Sequence, residues 1–246
     1  MPKTRKAELP VLLLGLMLIT AAVSSSAETL RVADFSQLQA GAPVPAPWRL
    51  AKLRSVAPTE FSIAAVAGQT ALRMTANNAA AALYRPLRAD PTATPMLHWR
   101  WRVDEPVAGA DIRRKTGDDL PARLYLMFDY PLARLPLIEQ GKIRLARAVA
   151  GEMVPAASLC YVWDATLPAG TTFWNPYSNR VRVIVLRSGP RQVGRWVSEE
   201  RDIAADFRAA FGEAPPPVSG IALGADTDQT GGSARAWFGD IQLMPR

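Results

Sequence analysis

Leu97-His98-Trp99-Arg100-Trp101-Arg102-Val103 decides the fold. Leu97, Trp99, Trp101 and Val103 fall on one side of an extended chain, with His98, Arg100 and Arg102 on the other. Side chains alternate across a strand with a period of two, so this is a strand with one buried face. Arg123-Leu124-Tyr125-Leu126-Met127-Phe128-Asp129 repeats the pattern, with Leu124, Leu126 and Phe128 inward and Arg123, Tyr125 and Asp129 opposite. Val181-Arg182-Val183-Ile184-Val185-Leu186 reads as a more fully buried strand. Further strands are predicted at 30–35, 61–66, 70–75, 81–86, 158–163, 194–198, 219–225 and 235–243, parted by Gly, Pro and Asp.

Strands this numerous predict a mainly β domain, an antiparallel two-sheet sandwich of jelly-roll-like form. Two segments break the alternation. Residues 135–149 have helical spacing, with Gly141 as a weak point. Residues 202–211 place Ile203, Phe207 and Phe211 one turn apart, with Gly212 as the stop. Both are expected as short helical insertions packed on a sheet edge. Cys160 is the single cysteine, so no internal disulfide forms, and its apolar surroundings (Ser158–Trp163) predict a buried, inert thiol. The 49% hydrophobic content is enough to hold the domain by its core alone.

The N-terminus has the three parts of an export signal: Lys3, Arg5 and Lys6, then the apolar run Val11–Val23, then Ser25-Ser26-Ala27. The reading divides the chain into a signal peptide, 1–27, and one β-sandwich domain, 28–246, placed in the periplasm or secreted. An uncleaved N-terminal anchor is the alternative. No later segment approaches a membrane span, so no stable membrane insertion is expected after cleavage. The net charge is +7, carried mostly by scattered arginines rather than basic runs. Scatter argues against nucleic acid and leaves an anionic polymer as a candidate partner.

One His and one Cys cannot furnish a zinc site of His/Cys ligands. His98 sits within a strand, which suits no Ser-His-Asp triad. Neither nucleotide-binding glycine motif occurs. Asp226-Thr227-Asp228-Gln229-Thr230-Gly231 matches the first half of a calcium loop, but Trp237 stands where a bidentate Glu belongs, so it is no EF-hand. A self-capped polar turn and a loop binding calcium or a sugar hydroxyl both remain open. Lys115-Thr116-Gly117-Asp118-Asp119 reads either as a loop salt-bridged by Arg113, Arg114 and Arg123 or as the rim of a ligand cleft. If the 97–103 and 123–129 strands pair, Arg100, Arg102, Arg123, Tyr125 and Asp129 share one polar face suited to sugars and uronates. Trp163, Trp174 and Tyr177 would supply a stacking platform from the 170–177 loop, which also carries Asn175. A structural network is the competing reading of the same residues.

The chain ends resemble the terminal strands of jelly-roll carbohydrate-binding modules: Val32-Ala33-Asp34-Phe35 at one end, Ala236-Trp237-Phe238-Gly239-Asp240-Ile241-Gln242-Leu243 at the other. That resemblance implies a structural calcium at Asp34 and Asp240, with no other cofactor required. The central motifs Lys115–Asp119, Tyr161-Val162-Trp163, Asn175-Pro176-Tyr177, Phe211-Gly212 and Ala225–Gly231 resemble the domain of unknown function 3047 family of exported bacterial proteins. The expected function is a ligand-binding module for a carbohydrate or other polar or anionic ligand. Its candidate residues are Arg102, Lys115, Asp118, Asp119, Arg123, Tyr125, Asn175, Tyr177, Asp226 and Asp228. Two alternatives follow: an envelope protein-interaction module using the 135–149 helix, and a glycosidase or polysaccharide lyase, for which no catalytic residue is assigned.

Overall fold

The computed structural model describes residues 28–53, 55–150 and 154–246. The expected signal peptide lies outside them. The described strands are β1 (Leu30–Ala33), β2 (Arg49–Lys52), β3 (Glu60–Val66), β4 (Gln69–Asn77), β5 (Ala80–Ala89), β6 (Met96–Glu105), β7 (Leu120–Phe128), β8 (Ser158–Asp164), β9 (Thr172–Asn175), β10 (Ser178–Ser188), β11 (Val197–Asp202), β12 (Val218–Asp226) and β13 (Ser233–Met244). Two helices accompany them, α1 (Leu137–Ala150) and α2 (Ile203–Phe211). One sheet runs β11-β6-β13-β4-β3, with β1 beside β13, and the other runs β2-β5-β12-β7-β8-β10-β9.

The alternation in β6 has its expected cause: Leu97, Trp99, Trp101 and Val103 are all buried. They meet the second sheet through aromatic pairs. Trp99 lies 5.4 Å from Tyr161 of β8, and Trp101 lies 5.9 Å from Trp163. Inward rows of two sheets interdigitating in this way make a sandwich core. The β6 and β7 strands therefore point their apolar faces at each other from opposite sheets. They do not pair, so their polar faces look away from one another.

One pair departs from the antiparallel expectation. β10 runs parallel to β8, because the chain leaves β8, forms β9 at the sheet margin and returns by a hairpin into the gap between. The short strands β2 and β9, which the sequence pattern missed, are both margins of this sheet. The strand expected at 194–198 begins only at Val197 and runs on through a charged stretch to Asp202. Its Glu199 faces inward, bound by Trp101 Nε1 at 2.8 Å and by Arg187 Nε at 2.6 Å.

α2 is capped by Asp202, whose carboxylate accepts from Ala205 N, and ends at Gly212 in the left-handed conformation. It buries Ile203 and Phe207 in the main core, with Phe207 4.5 Å from Phe128, so it closes an end of the sandwich rather than packing on an edge. α1 attaches differently. Ile143 belongs with Leu135 and Ala156 to a small separate cluster, against which Tyr130 and Leu132 pack.

Candidate ligand-binding site

The outer face of the seven-stranded sheet carries a groove whose floor has almost no side chains. In one row across the sheet, Tyr84 of β5, Ala222 of β12 and Tyr125 of β7 are neighbours. In the next row Ala51, Ala82, Gly224 and Arg123 follow in order. Gly220 allows the Tyr84 ring to lie against the sheet, since a Cβ there would sit 2.6 Å from the ring. Gly224 likewise gives room to Arg123, whose Cγ is 3.3 Å from where a Cβ would be. Two adjoining hollows result, of about 280 and 260 Å³, both lined by Ala51, Ala82 and Tyr125. The other half of this face is covered: Ile112 and Leu167 pack over Cys160, Val162, Val183 and Val185.

Arg123 closes one end of the groove. It is buried, and its Nη2 donates to Asp226 Oδ1 at 2.5 Å and to the Asp118 carbonyl at 3.0 Å. Its Nη1 donates to the Tyr125 hydroxyl at 3.0 Å. Among the described residues its buried Nε has no hydrogen-bond partner. Burial, opposed by Arg123, pushes the Tyr125 phenol well above its ordinary value, which favours its neutral form. Burial also pushes the Cys160 thiol beneath it up to about 12, which bears out an inert thiol.

Beyond Arg123 lie four carboxylates. Asp119 pins the 226–231 loop, its two oxygens accepting from Gln229 N at 3.1 Å and Thr230 N at 2.6 Å. Carboxylate oxygens of Asp119, Asp226 and Asp228 all lie within 4.8 Å of one another. Such a set of hard oxygens could hold a divalent cation such as calcium. Burial, opposed by Arg123 and reinforced by Asp118, pushes the Asp226 carboxyl up to about 7. Burial raises Asp118 as well, against Arg123. Crowded negative charge short of its solvent therefore resists ionising here. The rim is completed by Asn175, which donates to Asp118 Oδ2 at 3.3 Å, and by Tyr177, which donates to the Lys115 carbonyl at 2.8 Å beneath the Lys115 ammonium.

Residues 46–242 match the model of a family described as a protein of unknown function, DUF3047. The chain belongs to this family. No curated protein matches its sequence. Solved structures of similar fold include the family 11 carbohydrate-binding module of a cellulosomal cellulase of Clostridium thermocellum, with a TM-score of 0.41 and 7% identity over 90% of this chain and 97% of that one. Another is the xyloglucanase domain of a type three effector from Sinorhizobium fredii, solved with cellobiose, with a TM-score of 0.38 and 8% identity over 82% of this chain and 99% of that one.

In this DUF3047 protein the structure gathers Lys115, Asp118, Asp119, Arg123, Tyr125, Asn175, Tyr177, Asp226 and Asp228 around one groove end, although they lie on three separate stretches of chain, 115–125, 175–177 and 226–228. Arg102 is not among them. It lies on the outer face of the opposite sheet, bound to Asp104 Oδ1 at 2.7 Å, while Trp237 Nε1 holds the other oxygen at 3.0 Å. Trp163 is core and joins no platform, while Trp174 lies edge-on to Phe211 of α2 and borders the same hollow as Tyr177. Asp129 is exposed at the end of β7, 3.8 Å from Arg88. At the chain ends, Asp240 accepts from Ser36 N at 2.9 Å and Ser36 Oγ at 2.6 Å, and Asp34 lies 3.5 Å from Arg31. Among the described residues no group of three metal-ligating side chains is found there. Sequence reasoning missed the groove floor. A glycine inside a strand pattern is a sign of close approach, and Gly220 and Gly224 carried that sign.

Proposed function

We propose that this protein binds a carbohydrate in the groove over β5, β12 and β7. The observation that supports it most is the pairing of a nearly bare floor between Tyr84 and Tyr125 with a polar end at Arg123, Asp118 and Asn175. A pyranose offers apolar C–H faces and a rim of hydroxyls, and an apolar pocket with a few convergent polar groups is the matching surface. Asp118, Asp119, Asp226 and Asp228 outnumber Arg123 and Lys115, so the polar end offers more carboxyl oxygens than cations. Neutral sugars, whose hydroxyls donate to carboxylates, fit it better than uronates, unless a divalent cation held by Asp119, Asp226 and Asp228 bridges to the acid. Export to the periplasm or beyond, where glycans are met, is part of this reading.

Binding without hydrolysis is favoured by how the carboxylates are used. A glycosidase needs two free carboxylates flanking the bond. Here both oxygens of Asp119 hold backbone amides, and Asp226 Oδ1 accepts from Leu120 N at 2.9 Å and from Arg123.

Titration calorimetry against neutral and acidic oligosaccharides, with and without calcium, tests the reading. A neutral oligosaccharide should bind, and Tyr125→Ala should weaken it by about tenfold, the loss of roughly one aromatic contact. The proposal is falsified if no saccharide binds under either condition, or if Tyr125→Ala leaves affinity unchanged.

A further inference from the structure

We propose that α1 is a peripheral membrane-docking helix that lies flat on an anionic phospholipid surface. The helix faces the wrong way for a core element. Its larger aliphatic side chains point to solvent: Leu137, Ile138 and Leu145 are 81%, 74% and 70% exposed. Its inward side offers Ile143 and Gln140, and Gln140 donates to the Leu135 carbonyl.

At about 100° of turn per residue, Leu137, Ile138, Gly141, Leu145 and Ala148 form one continuous outward stripe, and Gly141 and Ala148 are also exposed. Lys142 borders the stripe on one side and Arg144 on the other, both exposed. The helix's one acid, Glu139, lies on the inner side, where Lys142 Nζ reaches it at 2.9 Å. Among the described residues Arg144 bonds a neutral amide, Gln140 Oε1 at 2.9 Å. Arg134, just before the helix, is 64% exposed but already lies 3.4 Å from Glu213, so the flanking cations are Lys142 and Arg144.

An aliphatic stripe flanked by cations matches a bilayer interface carrying negative headgroups: the stripe enters the acyl boundary and the cations meet phosphates. Charge complementarity favours that occupant over a second copy of the chain, whose own α1 would bring the same cations. Docking does not require a span, and no described helix is long and apolar enough to cross a membrane. α1 also borders the hollow beside Asn175 and Tyr177, so docking would hold the groove end near the lipid surface.

Both sheets are built wholly from residues 30–244, so the chain from Glu28 can be tested by cosedimentation with vesicles. Binding to phosphatidylglycerol–phosphatidylcholine vesicles should exceed binding to phosphatidylcholine alone by at least about tenfold and fall with added salt. Leu137→Ser/Ile138→Ser/Leu145→Ser should cut binding by on the order of a hundredfold, as burial of these side chains is lost. Lys142→Glu/Arg144→Glu should abolish the preference for anionic lipid. All five positions are exposed, so melting curves should match the parent. Equal sedimentation of parent and variants overturns the proposal, as does no binding to either vesicle. A dimer that the triple-Ser variant dissolves, without vesicle binding, would overturn it by assigning the stripe to a second copy.

Discussion

Arg123 organises the candidate site, because the Asp226 carboxylate, the Asp118 carbonyl and the Tyr125 hydroxyl all meet on it. Removing it would leave Asp226 and Asp118 facing each other without a countercharge in a poorly solvated place. Breaking a buried pair by deleting one partner costs about 3–5 kcal/mol, so Arg123→Ala should show that loss in urea unfolding. Arg123→Lys should recover only part of it, because an ammonium cannot reach Tyr125, the Asp118 carbonyl and Asp226 from one fork. Cys160 gives a second test at this scale. Its thiol is held above the usual value of 9.0, at about 12. Between those values the unfolded chain releases a proton that the folded chain keeps, so stability must fall as pH rises from about 9 to about 12. Cys160→Ala should flatten the start of that fall, and the native thiol should resist alkylation at pH 8 until the protein is unfolded. The burial of Cys160 could be read from its apolar neighbours. The burial of Arg123 could not, because only the folded sheet brings Asp226 to it.

At the level of strands, glycine placement shapes the groove. Gly220→Ala would put a methyl 2.6 Å from the Tyr84 ring, which must then lift from the sheet. Overpacking of this kind costs roughly 1–3 kcal/mol. A lower melting temperature together with weakened saccharide binding is expected from Gly220→Ala, whereas Gly141→Ala, on an open helix surface, should stabilise slightly. Period-two alternation located β4, β6 and β13 well, since each has one face in the core, and the apolar run of β10 marked it as buried on both faces. It failed for β2, β9 and the charged half of β11. Margin strands bury little, and a charge such as Glu199 can face inward once Trp101 and Arg187 satisfy it.

Across the whole molecule, Asp118 and Asp119, just before β7, meet Asp226 and Asp228 at one end of the second sheet. If they share a cation, calcium at 100 times its dissociation constant should add about 2.7 kcal/mol of stability, read as a rise in melting temperature that EDTA reverses. Asp228→Asn should remove that rise while leaving the Arg123–Asp226 pair intact. An equal rise in the parent and in Asp228→Asn would place the ion elsewhere.

By itself the sequence determined a mainly β sandwich with its apolar rows inward, its two helices and its buried thiol, because burial on one face of a strand writes a period of two into local composition. It also marked the two aspartate-rich loops as places where charge is concentrated. Only the tertiary structure decided which polar rows face the same way. Arg102 and Arg123 carry the same local signature, yet β6 and β7 belong to opposite sheets, so the two side chains point away from each other. Strand order depends on pairings between residues far apart in the chain, and alternation along one strand is identical whichever sheet it joins. The groove and its acidic end are therefore consequences of topology, although each residue in them was visible from the start.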